Sequence, residues 1–135
     1  MKIKAKLLLG VGSLFAMILL MTILSAFFVN RLSADTKNIL VANYNTVDYC
    51  RQMILTLNED ISKPVNENKF RQSLAKQKIN VTEEGENALT SKLEMDFNHL
   101  MSSPRDSVAR QTLIKDIASI MLLNMQAIQK KSALA

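Results

Sequence analysis

Leu7 to Val29 is a run of 23 residues without a charge, LLLGVGSLFAMILLMTILSAFFV. A helix rises about 1.5 Å per residue, so the run reaches ~35 Å, enough to cross the hydrocarbon core of a bilayer with some tilt. A cleaved secretory signal has an apolar stretch of about 7–15 residues and then a small-x-small site. Phe27-Phe28-Val29-Asn30 offers no such site, so the run is expected to persist as a signal anchor. Lys2, Lys4 and Lys6 precede it, while Arg31 and Asp35 follow it. The lysine excess is expected to stay in the cytoplasm, which sends the C-terminal part across the membrane. In a bacterium this is the inner membrane, with the remainder in the periplasm or outside the cell. The first expected partner is therefore the lipid bilayer. Gly12 and Ala16 have the small-xxx-small spacing that lets membrane helices approach closely.

The anchor also explains the charge. Of 17 basic residues, the three N-terminal lysines belong to its flank, which leaves 14 against 12 acidic ones. Those charges are mixed in sign and form no stripe, so nucleic acid is not an expected partner.

The remaining residues, 30–135, have the composition of helices. The whole chain has only three Gly and two Pro, too few for the turns of a sandwich or barrel of this size. No Pro or Gly occurs between Val29 and Lys63, so the membrane helix is expected to continue to about Asp60. Leu32, Ile39, Leu40, Val47, Cys50, Ile54, Leu57 and Ile61 mark its apolar face, with Asn43, Tyr44 and Met53 on the same broad side. Lys63-Pro64 breaks the pattern, and Pro64-Val65-Asn66 reads as a turn. A short helix is predicted over 67–78 with Phe70 and Leu74 inward. A third is predicted over 83–101, with Thr82 as N-cap and Leu89, Leu93, Phe97, Leu100 and Met101 as its apolar face. A fourth is predicted over 104–131, with Ser103 as N-cap and Pro104 in its first turn. Its apolar face holds Val108, Leu113, Ile114, Ile117, Ile120, Met121 and Ile128. The expected fold is all-α: one transmembrane helix over 7–29, continuing into an up-down-up-down four-helix bundle with segments 30–60, 67–78, 83–101 and 104–131. The last helix would then return toward the bilayer near Ala135. Both a one-anchor bundle and the first part of a longer receptor fit that geometry.

No nucleophile elbow, phosphate loop, paired catalytic carboxylates or metal spacing occurs, so no catalytic residue, cofactor or metal is expected in this chain. The single Cys50 has no internal partner, and a small apolar core residue is the simplest reading beside an intermolecular disulfide. His99 reads as a structural or solvated histidine. Arg51, Lys69, Arg71, Lys76 and Lys78 read as a solvated face before an anion site. Asn80-Val81-Thr82 matches the glycosylation sequon, a common accidental match. The scattered methionines read as core filler. The candidates for ligand contact, or for fixing bundle register, are Asn43, Tyr44, Thr46 and Arg51. Amides and hydroxyls on or beside an apolar helix face cost stability and specify pairing.

The basic start, the single span and the long helix bearing NYNTVDYCRQM (Asn43 to Met53) resemble the extracytoplasmic sensor region of bacterial membrane histidine kinases. The nearest type is the KinB-like four-helix-bundle sensor domain, whose first helix often has an Asn-Tyr-x-Ser-Val-like segment followed by Met; Thr46 stands here where that pattern has Ser. Chemotaxis-receptor ligand domains share the layout. The resemblance implies a homodimeric sensing region of a two-component signalling protein, responding to an unidentified small-molecule or protein stimulus. It places a second membrane helix, a phospho-acceptor domain and an ATP-binding domain elsewhere in a parent kinase. It carries over no ligand residues. A stand-alone membrane-anchored adaptor or scaffold is the alternative from another class.

Overall fold

The computed structural model describes residues 3–133. Lys2, which belongs to the basic flank, and Ala135, where the chain was expected to approach the bilayer, lie outside the described residues. The described residues are all-helical and form four helices: α1 (Ile3–Asn58), α2 (Pro64–Ile79), α3 (Glu86–Ser102) and α4 (Ser107–Ser132). No strand occurs among the described residues. The chain divides into two units, one ending at Lys37 and one beginning at Asn38.

The N-terminal unit is helical throughout its described residues, and the whole 7–29 run is solvent-exposed. Its helix is long and apolar enough to cross a membrane. Two hydroxyls within the run are satisfied by the helix itself: Ser13 Oγ donates to the Gly10 carbonyl at 2.9 Å and Thr22 Oγ1 to that of Ile18 at 2.8 Å. Such back-bonding would satisfy both groups in a hydrocarbon setting, which offers no water to a free polar group.

In the second unit the apolar stripes meet in one core. Cys50, Met53 and Leu57 of α1 and Ile61 of the following turn join Phe70 and Leu74 of α2, Leu93, Phe97 and Leu100 of α3, and Leu113, Ile117 and Ile120 of α4. At its centre the Phe70 and Phe97 rings stack in parallel with centroids 4.0 Å apart. The Arg71 guanidinium lies 5.0 Å from the Phe97 centroid. α3 lies against α4 over the longer stretch of backbone and against α2 over a shorter one. Leu32 and Val108, assigned above to apolar faces, are largely exposed, whereas Ile39, Leu40, Val47, Ile54 and Ile114 are half-buried.

Three helix starts differ from the sequence expectation, each for a local reason. Pro64 begins α2 instead of lying in a turn. Its fixed φ suits the first helical position and its missing N–H would find no intrahelical partner there. α3 starts at Glu86, not Glu83, because Gly85 takes φ +82° and ends a turn in which Glu86 N donates to the Glu83 carbonyl at 3.2 Å. Thr82 is therefore not its N-cap. In α4 the cap is Asp106, not Ser103: one carboxylate oxygen accepts from Val108 N at 2.8 Å and Ala109 N at 3.1 Å. A carboxylate adds favourable charge at the positive helix end, which a serine hydroxyl does not. Ser103-Pro104-Arg105 forms the preceding turn, closed by Asp106 N donating to the Ser103 carbonyl.

Candidate functional site

The most unusual feature of the second unit is a carboxylate at the heart of a polar cluster. Glu86 is fully buried. The Gly85 turn sends its side chain back over its own N-terminus, where Oε2 accepts from Thr82 N at 2.9 Å and Glu83 N at 3.0 Å. Its other oxygen, Oε1, accepts from Gln77 Nε2 of α2 at 2.8 Å, Asn124 Nδ2 of α4 at 2.8 Å and Thr46 Oγ1 of α1 at 3.3 Å. Both oxygens act only as acceptors, and none of the five donors carries a charge. One residue thus joins all four helices through charge-assisted bonds, which are about twice as strong as neutral ones.

A second layer surrounds this centre. Asn80 Nδ2 donates to Thr46 Oγ1 at 3.0 Å and to the Ala42 carbonyl at 2.7 Å, so the hydroxyl of Thr46 accepts from one neighbour while donating to Glu86. This also commits the sequon asparagine to the fold. Asn43 Nδ2 donates to Glu83 Oε1 at 2.9 Å, and its own carbonyl accepts from Thr82 Oγ1. Lys131, near the end of α4, forms an ion pair with Glu83. Burial alone would raise the Glu83 carboxyl, but the bonds from Lys131 and Asn43 outweigh it and hold it below the usual carboxylate range. Nearby, burial and then the charge of Glu86 push the Cys50 thiol up to about 12. Cys50 is 0% exposed, which fits the small-core-residue reading and not an intermolecular disulfide in this conformation.

Of the four residues singled out in the sequence, the structure brings two into this cluster. Asn43 and Thr46 are both fully buried there. Tyr44 is 56% exposed, a correction to its assignment to the inner side of α1. One residue after Asn43, it points about 100° away from the buried row. Arg51 is also exposed and pairs with Asp48 at 3.1 Å, away from the cluster. The other basic candidates disperse as well: Lys69 pairs with Glu59, Arg71 with Glu67, Lys78 with Glu94, and the Lys76 ammonium lies 5.9 Å from the Tyr49 centroid. They form no anion site.

Glu86, Gln77 and Asn124 were not anticipated. The available signal was a polar residue at a core position: Gln77 continues the Phe70–Leu74 row and Asn124 the Leu113–Ile117–Ile120 row. Among the described residues, no group of three or more His, Cys, Asp or Glu is placed to hold a metal ion. No known family model, curated protein or solved structure matches the chain.

Proposed function

We propose that the chain is the membrane anchor and extracytoplasmic sensor bundle of a homodimeric signalling receptor of the histidine-kinase class, with residues 1–6 cytoplasmic, 7–29 in the bacterial inner membrane and the rest periplasmic. The stimulus is a small molecule or protein, and any enzyme activity resides in a kinase core of the parent protein. One observation carries the reading. The helix that holds the membrane-length apolar run, α1, also supplies Asn43 and Thr46 to a polar cluster joined to each other helix.

The proposed bundle runs up-down-up-down, and three contacts between helix ends support that course. The end of α1 meets the start of α4, where Arg110 Nη1 donates to the Leu57 carbonyl at 2.5 Å. The end of α2 meets α1 at Ala42 and Thr46, and Lys131 near the end of α4 meets the start of α3. A stimulus acts on such a bundle only by binding one packing arrangement better than another. Because Ala42, Asn43 and Thr46 of α1 make five bonds to Asn80, Thr82, Glu83 and Glu86, a small shift of α1 breaks or keeps these together.

The test is the coding sequence beyond Ala135. A second apolar run of about 20 residues followed by a kinase core is the expected result. A stop codon would replace the reading with a stand-alone adaptor, and a long cytoplasmic coiled coil with a chemotaxis-type receptor. In the parent protein, inserting two glycines at Arg31–Ser33 is expected to abolish the response; a retained response overturns the proposal.

A further inference from the structure

Where α1 gives way to α2 and α3 to α4, the two turns border an open cleft of about 1050 Å³, large enough for a small organic molecule. Asp60 and Ser62 form its wall on the α1–α2 side, and the start of α4 with the turn before it forms the rest. Two arginines line it, Arg105 of that turn and Arg110 of α4. Among the described residues neither has a carboxylate within ion-pair distance, whereas the bundle's other arginines, Arg51 and Arg71, are both paired. Arg105 is exposed; Arg110 is half-buried and commits one end of its fork to the Leu57 carbonyl. The two carboxylates of the cleft are engaged elsewhere. That of Asp106 caps α4 through Val108 N and Ala109 N. Asp60 Oδ1 accepts from Ser62 Oγ at 2.6 Å and Ser62 N at 3.2 Å. These bonds first, and Lys63 and Arg105 less, hold the Asp60 carboxyl below the usual carboxylate range, so it stays charged. Part of the wall is apolar. Val108, which the spacing of α4 placed on the apolar face, is 70% exposed, and Pro104 and Ile114 are half-buried.

We infer that this cleft binds a small organic acid, its carboxylate held by Arg105 and Arg110 and its carbon chain set against Val108 and Ile114. A planar guanidinium presents parallel N–H groups that match the two oxygens of a carboxylate, and such charge-assisted bonds are about twice as strong as neutral ones. A cationic ligand would meet two guanidiniums that have no counter-ion of their own. An inorganic anion would satisfy the arginines and leave the apolar wall in water, so an acid with a short carbon chain fits both parts of the cleft. The inference rests on the proposed sensor role for its meaning, because it names the class of stimulus and the place where it acts. Arg110 already holds the last turn of α1 through the Leu57 carbonyl. A ligand that draws on Arg110 therefore acts on the same helix that carries the membrane-length apolar run. It shifts that helix to the extent that its affinity differs between two packings.

The test is isothermal titration calorimetry of the full chain in detergent. Acetate, butyrate, succinate and glutarate are the probes, with inorganic phosphate and n-butylammonium for comparison. At least one carboxylate is expected to saturate with a Kd of about 1 mM or tighter, and phosphate and butylammonium to bind at least about tenfold more weakly than it does. Arg105→Gln and Arg110→Gln are each expected to weaken the best probe at least about tenfold. Asp60→Asn is expected to strengthen it, because a like charge is removed. Arg105 lies exposed in a turn, so its substitution tests the site even where Arg110→Gln fails to fold by circular dichroism. No saturation by any carboxylate at ten times the expected Kd overturns the site, and so does undiminished binding in Arg105→Gln. Phosphate that binds as tightly as the best carboxylate overturns the organic-acid assignment. A carboxylate site in a chain whose coding sequence stops after Ala135 keeps this inference and overturns the sensor reading. No binding in a chain that continues into a kinase core overturns the inference and leaves the sensor reading intact.

Discussion

Replacing Glu86 by alanine removes the one acceptor on which the four helices converge. Four donors lie within 3.0 Å of its oxygens: Gln77 Nε2, Asn124 Nδ2, Thr82 N and Glu83 N. Gln77 Nε2 and the two backbone N–H groups lose their partner at once, while Asn124 Nδ2 keeps its bond to the Ile120 carbonyl at 3.0 Å. A donor left unmade away from water costs about 1–3 kcal/mol; Gln77 Nε2 is buried and the two backbone N–H groups part-buried, so the lowest figure for each of the three gives a loss of about 3 kcal/mol. Against the 5–15 kcal/mol that stabilise a domain, that is on the order of a third. Glu86→Gln is expected to cost less. Its amide retains one acceptor oxygen for the two backbone N–H groups and can turn its own NH₂ toward Gln77 Oε1 or Asn124 Oδ1, which are buried without a hydrogen-bond partner. The assay is urea unfolding of the full chain in detergent, followed by far-ultraviolet circular dichroism. With a urea slope of about 1–1.5 kcal/mol per molar, Glu86→Ala should lower the midpoint by roughly 2–3 M, with Glu86→Gln in between. A midpoint unchanged or raised in Glu86→Ala would show that burying this charge costs more than its five hydrogen bonds return, and would refute the reasoning.

Smaller changes test the parts around it. Asp106→Ala removes the acceptor at the start of α4 and should cost about 1 kcal/mol in the same unfolding assay, with Asp106→Ser recovering most of it. At Gly85 an added Cβ would meet nothing within 4 Å, so Gly85→Ala should cost only the strain of φ +82°, about 1–2 kcal/mol, and a loss above ~3 kcal/mol would contradict this. Cys50 should resist thiol reagents at neutral pH in the folded chain and label fully in denaturant, because its thiol is buried and raised to about 12. The Glu83 carboxyl is lowered on folding, so its stabilisation is complete above the unfolded value of about 4.3 and is lost as pH falls through the lower folded value. Glu83→Gln should therefore flatten that part of the acid limb of a stability-versus-pH curve.

Much of the helical layout was legible because apolar residues announce their own burial. Phe70 and Leu74, Leu93, Phe97 and Leu100, and Leu113, Ile117 and Ile120 were all assigned inward from spacing alone, and all are buried. The starts of helices were harder. Ser103 and Asp106 both make plausible caps, and the choice depends on which residue the turn delivers to the first free N–H groups. The polar cluster was least legible. Asn43 and Thr46 were found because they interrupt an apolar face, but a glutamate beside a helix N-terminus normally stays in water. Its burial depends on Gly85 turning it inward and on amides from α2 and α4 meeting it there, neither of which is a local property. Tyr44 failed for the opposite reason: an aromatic residue next to the inner row of α1 has the chemistry of the core and the angle of the surface.

Everything functional in this account rests on the chain being anchored by Leu7–Val29 with the bundle outside the cytoplasm. Protease treatment of intact sphaeroplasts from cells expressing the full chain, tagged after Ala135, tests it directly. The chain should stay with carbonate-washed membranes at its uncleaved mass, and external protease should remove the C-terminal tag without lysis. A tag protected until the cells are lysed, or a shortened chain released to the soluble fraction, would contradict the account.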